Sequence, residues 1–172
     1  MFDPTVFENL KVSFENHLYD LDNIDQKILI QNRKDQMDFA TLSRRLSLEF
    51  ILADQPEVMA ELRLESLLED LAGEILEMPE AQPGCSLFLR FTKPVNEPQE
   101  QCQKIEQVLY SIWEDEIELT QTISFVYGQD SQLFINRIEV RFKPKLTEEH
   151  MGDIKKFLTY VLESLEQLHR IE

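Results

Sequence analysis

The sequence predicts an α+β domain, a mostly antiparallel sheet with about three helices packed on it, in the order β-β-β-α-β-α-β-β-α. Three observations predict it. Residues 117–127 and 134–142 place apolar side chains at nearly every second position, and a short turn segment joins them. Residues 147–170 place them at spacings of three and four, as an amphipathic helix does. Sequential hairpins mixed with helices suit helices packed on one face of a largely antiparallel sheet.

Each element has its own warrant. Leu10, Val12 and Phe14 alternate like a strand, while Phe7, Leu10, Phe14 and Leu18 also fit a helix that Asp3-Pro4 would open. A strand over residues 10–19 is expected, then an acidic turn over 20–25. Lys27-Ile28-Leu29-Ile30-Gln31 returns as a second strand, and residues 33–36 form a polar turn. Leu42, Arg44, Leu46, Leu48, Phe50 and Leu52 alternate and predict a third strand over 39–52, which completes a meander.

Asp54 as cap and Pro56 in the first turn predict a helix whose buried stripe is Val58, Leu62, Leu64, Leu67, Leu68, Leu71 and Ile75. Pro79, Pro83 and Gly84 mark a loop over 78–84. Residues 86–91 form a short strand, and Pro98 opens a helix to about residue 114 with Cys102, Ile105, Leu109 and Ile112 inward. In the hairpin, Ile117, Leu119, Ile123, Phe125 and Tyr127 face Phe134, Ile138, Val140 and Phe142 across the turn at 128–131. Pro144 ends the second strand, since it has no amide hydrogen for the ladder. Thr147 caps the last helix, whose stripe is Ile154, Leu158, Val161, Leu165 and Leu168. Its extra apolar positions suit a core rather than a coiled-coil seam.

A chain of 172 residues suits a single domain over 1–172, with a sub-lobe break near 78–84 as the alternative. Forty-two per cent hydrophobic residues is ample for a core. No apolar run approaches membrane-spanning length, and Met1-Phe2-Asp3-Pro4 lacks a basic leader, so a cytoplasmic protein without membrane contact is expected. Thirty-three acids against 17 bases leave a net charge of −16, which repels phosphate backbones and argues against direct nucleic-acid binding. Cys85 and Cys102 have neither framework nor metal-ligand spacing. Cys102 is expected to be a buried inert thiol, and Cys85, at the head of a strand, a more exposed one.

The phrases Met1-Phe2-Asp3-Pro4-Thr5-Val6-Phe7-Glu8-Asn9-Leu10-Lys11-Val12 and Tyr19-Asp20-Leu21-Asp22 resemble uncharacterised proteins of Gram-positive, bacillus-like bacteria. The resemblance covers the N-terminal quarter and implies no activity.

Motifs that carry chemistry are absent. Asp20, Asp22 and Asp25 lack calcium-loop spacing, because Ile24 and Gln31 stand where ligands belong. His17, His150 and His169 share no zinc spacing. Four scattered glycines make no phosphate cradle. No catalytic residue, cofactor or metal is therefore assigned. Two charge patterns remain. Glu57, Glu61, Glu65 and Glu69 form an i,i+4 ladder if helical, each like pair costing about 0.2–0.5 kcal/mol, which a basic partner or Arg33, Arg44 or Arg45 would relieve. Arg137, Arg141, Lys143 and Lys145 make a basic stripe on the hairpin's polar face.

The expected function is a non-enzymatic cytosolic interaction or regulatory protein that binds another protein through Glu57, Glu61, Glu65 and Glu69 or through Arg137, Arg141 and Lys143. The alternatives are a small-ligand binder or enzyme with a pocket between sheet and helices, a nucleic-acid mimic that blocks a basic protein, and a self-assembling subunit such as a homodimer.

Overall fold

The computed structural model describes residues 5–78, 84–129 and 133–172. They form α1 (Thr5–Asn23), β1 (Ile28–Asp38), β2 (Ser43–Leu52), β3 (Gln55–Ser66), α2 (Leu68–Ile75), β4 (Ser86–Val95), α3 (Pro98–Trp113), β5 (Ile117–Ser124), β6 (Phe134–Phe142) and α4 (Ile154–Arg170). The six strands make one sheet in the order β1-β2-β3-β4-β6-β5, every neighbouring pair antiparallel. The fold is α+β, as expected, with four helices instead of three.

Side chains alternate faces along a strand, so each strand contributes one row to the core. Leu46, Leu48 and Phe50, then Ala60, Leu62 and Leu64, then Leu87, Leu89 and Phe91, then Ile138 and Val140 form adjoining apolar rows. Phe7, Leu10, Phe14 and Leu18 of α1, Ile105 and Leu109 of α3, and Leu158, Val161, Leu165 and Leu168 of α4 close over them in one buried cluster. The sheet crosses from β3 to β4 without a break, while the prolines of the intervening loop lie outside the described residues.

Three expectations are corrected. Residues 5–23 are helical, not a strand over 10–19, because Phe7, Leu10, Phe14 and Leu18 are all fully buried at helical spacing. Asp20 and Asp22 therefore belong to α1, whose Asp22 carboxylate accepts the Ile30 amide at 3.0 Å. The second strand runs through the expected polar turn, since Arg33 and Asp35 have ion partners. Arg33 meets Glu15 at 2.7 Å, and Asp35 meets Lys11 at 2.9 Å and Arg44 at 3.0 Å. Burial alone would lower the Lys11 ammonium, but its bonds to Asp35 and Glu8 outweigh it and hold it above its usual value.

The third correction is the helix expected after Pro56. Its first half is β3, where Val58, Ala60, Leu62, Leu64 and Ser66 are buried and the residues between them are not. Pro56 stands at the head of that strand, beside the Leu52–Gln55 pair that closes the β2–β3 hairpin. Only α2 remains helical, with the buried Asp70 carboxylate accepting the Leu67 amide and holding Lys145.

Gly84 marks a close approach. The backbones of Cys85 and Leu146 exchange two hydrogen bonds, at 2.8 and 2.9 Å, and a Cβ on Gly84 would stand 2.8 Å from the Leu146 carbonyl oxygen. Gly84→Ala should cost about 1–3 kcal/mol in urea unfolding, because rigid backbone must move. Phe14→Ala should cost about 3–5 kcal/mol in the same measurement, as expected of a large cavity beneath α1.

Candidate functional site

Helices α1, α3 and α4 all pack on one side of the sheet, and no described helix covers the other. The uncovered face is ruled into rows by strand register. One row runs Lys34, Ser47, Arg63, Phe88, Arg141, Glu118. The next runs Asn32, Glu49, Glu61, Arg90, Glu139, Thr120, and a third carries Ile51, Met59, Thr92, Arg137 and Thr122.

Two of the expected charge patterns meet here. Glu57, Glu61 and Glu65 share this face because a spacing of four is also a multiple of the strand period. Arg137 and Arg141 reach it from β6, and Lys143 follows just beyond that strand. Glu69 does not join them, since it lies in the first turn of α2. Lys145 also leaves the stripe, because its ammonium pairs with Asp70.

The acids of β3 are largely neutralised within the molecule. Glu61 lies 3.4 Å from Arg63 and 3.6 Å from Arg90, and Glu65 lies 3.5 Å from Arg45. Arg90 also bonds Glu139 at 2.9 Å, so the four side chains from Arg63 to Glu139 form a continuous charged chain. Of the three meander bases considered, only Arg45 serves the ladder, as Arg33 and Arg44 turn to the α1 side.

The cations of β6 are less satisfied. Among the described residues, neither Arg137 nor Arg141 has a carboxylate within ion-pair distance, and both are exposed. The Arg141 guanidinium lies 6.0 Å from the centre of the Phe88 ring, and that of Arg63 lies 5.8 Å from it. Phe88 is thus an aromatic floor flanked by two guanidiniums, an arrangement that favours an anionic or planar group above it. A groove of about 330 Å³ lies here, lined by Arg63, Phe88, Arg90, Arg141, Glu118 and Thr120 among others. Within it Arg90 Nε is buried without a hydrogen-bond partner.

The opposite, helix-covered face holds a buried polar cluster that sequence reasoning missed. Lys93 and Asn136 are register partners there. The Asn136 amide donates to Gln121 Oε1 at 2.9 Å, Gln121 donates to the Cys102 carbonyl, and Asn136 Oδ1 has no partner. Burial pushes the Lys93 ammonium below its usual value, and Glu57 and Glu172 partly offset that. Gln101, also buried, accepts the Asn96 and Glu97 amides and caps α3. These positions interrupt the apolar alternation, at Gln121 and Asn136 most visibly, and that interruption was their only signal in the sequence.

No family model, curated protein or solved structure matches the chain. Among the described residues, no group of three or more His, Cys, Asp or Glu side chains converges as metal ligands would, and no helix is long and apolar enough to cross a membrane.

Cys85 is buried, contrary to expectation, because the Leu146 bridge covers it. Burial raises its thiol to about 12, helped by the nearby Asp70 and Glu74 charges. Cys102 is half-buried and also raised by burial. At pH 8 Cys85 should resist Ellman's reagent until the protein unfolds. The unfolded thiol titrates near 9.0, so raising the pH from there toward 12 takes protons from the unfolded chain first. Stability should fall across that window, and Cys85→Ala should flatten the fall in pH-dependent unfolding curves.

Proposed function

We propose that the protein is a non-enzymatic cytosolic interaction or regulatory protein that binds an acidic segment of a partner protein on the helix-free face of its sheet. The observation that carries this reading is the row Arg63–Phe88–Arg141 with Arg137 beside it, where two guanidiniums flank an aromatic ring and, among the described residues, the exposed Arg141 and Arg137 have no carboxylate partner. An acidic residue of the partner would pair with Arg141 or Arg137, and an apolar neighbour would rest on Phe88. Charge mimicry of nucleic acid draws less support, because Glu61 and Glu65 are already matched by arginines. The resemblance of the opening residues to proteins of bacillus-like bacteria brings no activity to this reading.

A second reading has its own observation. The groove of about 330 Å³ and the partnerless Arg90 Nε suit a small anionic ligand.

The test is affinity capture with the full chain and with Arg137→Glu/Arg141→Glu, whose side chains are exposed and outside the core. A specific acidic protein should be retained by the wild type at low salt and lost with the variant. It should also be lost at high salt, where the Debye length falls to about 3 Å. Equal capture by both chains would sink the docking face. Stabilisation of the wild type by citrate or phosphate in thermal melting, abolished by Arg141→Glu, would favour the small ligand instead.

A further inference from the structure

We propose that two copies of this chain join through β5, which pairs antiparallel with β5 of the second copy and so continues the sheet across a two-fold axis. The sheet has two edges, and they are built differently. β1 carries a register shift between Ile30 and Asn32 and the cations Arg33 and Lys34, devices that discourage another strand from docking. β5 has none of them. It pairs with β6 through eight consecutive residues without a bulge, contains no proline and no base, and carries one acid, Glu118. Among the described residues, no other strand bonds to its outer side.

The chain leaving β5 supplies a second observation. Phe125, Val126 and Tyr127 are 68%, 62% and 96% exposed, and Leu133 across the hairpin is exposed as well. Phe125 packs edge-on against Phe134, with ring centres 5.9 Å apart, so the tip presents a formed, exposed apolar surface. It continues the line of the open edge. Contiguous exposed apolar residues at the end of an unprotected strand mark a contact surface.

The occupant that fits is another copy, because β5 complements itself. With Gln121 facing its counterpart, Leu119 meets Ile123 and Thr120 meets Thr122 of the second copy, Glu118 meets Ser124, and Ile117 meets Phe125. Apolar faces apolar, the threonines pair, and the one charge avoids its twin. Each exposed tip would then run past the other copy's β5 start, where α3 ends and Tyr110 is exposed. Such a contact is isologous and closes on itself. Two chains of −16 repel each other, so this association strengthens with salt, whereas binding of an acidic partner to the sheet face weakens.

The full chain, examined by sedimentation equilibrium from micromolar to tenth-millimolar concentration, should show twice the 20.3 kDa mass, more completely as salt is added. Thr120→Lys/Thr122→Lys, which sets cations against cations across the pairing, should weaken association at least tenfold. Phe125→Ser/Tyr127→Ser, which alters only exposed side chains outside the strands, should do the same without changing the circular dichroism spectrum. A wild type that stays at 20.3 kDa throughout, or a dimer that survives the tip variant, overturns the proposal. A monomer that instead binds an extended peptide along β5 would assign the edge to a different protein.

Discussion

Phe157 of α4 stands where four elements meet, and the molecule's one-sided architecture depends on that contact. Its ring lies 6.1 Å from Phe14 of α1, 5.3 Å from Trp113 at the end of α3 and 5.3 Å from Phe142 of β6. Trp113 also packs on Phe142 and Tyr160, and its indole N–H donates to Ser164 Oγ at 3.0 Å. The polar handle of the only tryptophan is thus satisfied inside the core, which lets its whole ring serve as packing surface. This junction draws the first and last helices onto the same side of the sheet.

Because the helices share one side, the other is left to manage water by itself. It does so with long side chains that cover the backbone and neutralise one another, as along the chain from Arg63 through Glu61 and Arg90 to Glu139. That satisfaction fails toward β6, where Arg137 and Arg141 keep exposed charge, and toward β5, where the backbone ladder ends. The two candidate contact surfaces therefore adjoin. A dimer through β5 would bring two Arg–Phe–Arg rows onto one continuous sheet, so the edge and the face could act together on an extended acidic partner.

The hairpin, α3 and α4 were legible because their apolar spacing admits one periodicity, although β5 stops at Ser124, short of the expected Phe125 and Tyr127, and α4 begins at Ile154 after a 3-10 turn rather than directly after Thr147. Ile138 and Val140, or Leu158, Val161, Leu165 and Leu168, fit a strand or a helix but not both. β3 was misread because Glu57, Glu61 and Glu65 at intervals of four fit either, and because Ala60 is too small to announce the alternation that Val58, Leu62 and Leu64 continue. α1 was misread because Val12 sits between Leu10 and Phe14 and imitates a strand, although Val12 is exposed. The candidate face inherited the second error. Its acids were visible, but they belonged to a helix in the expectation, and so of their arginine partners only Arg45 was named, not Arg63 or Arg90.

The sequence by itself determined the class of the fold, the acidity, the inward rows of β2, β5 and β6 and the basic positions of β6, because composition and local period are properties of neighbours in the chain. Tertiary structure decided which charges remain free. Arg90 is bound to Glu61 and Glu139, Lys145 to Asp70 and Arg33 to Glu15, each pair brought together by strand register or helix docking across many residues. Arg137 and Arg141 resemble them in sequence and differ in forming no ion pair among the described residues. An edge, likewise, is a fact of strand order: nothing in Ile117–Ser124 says that it lies outermost until β6 inserts between it and β4.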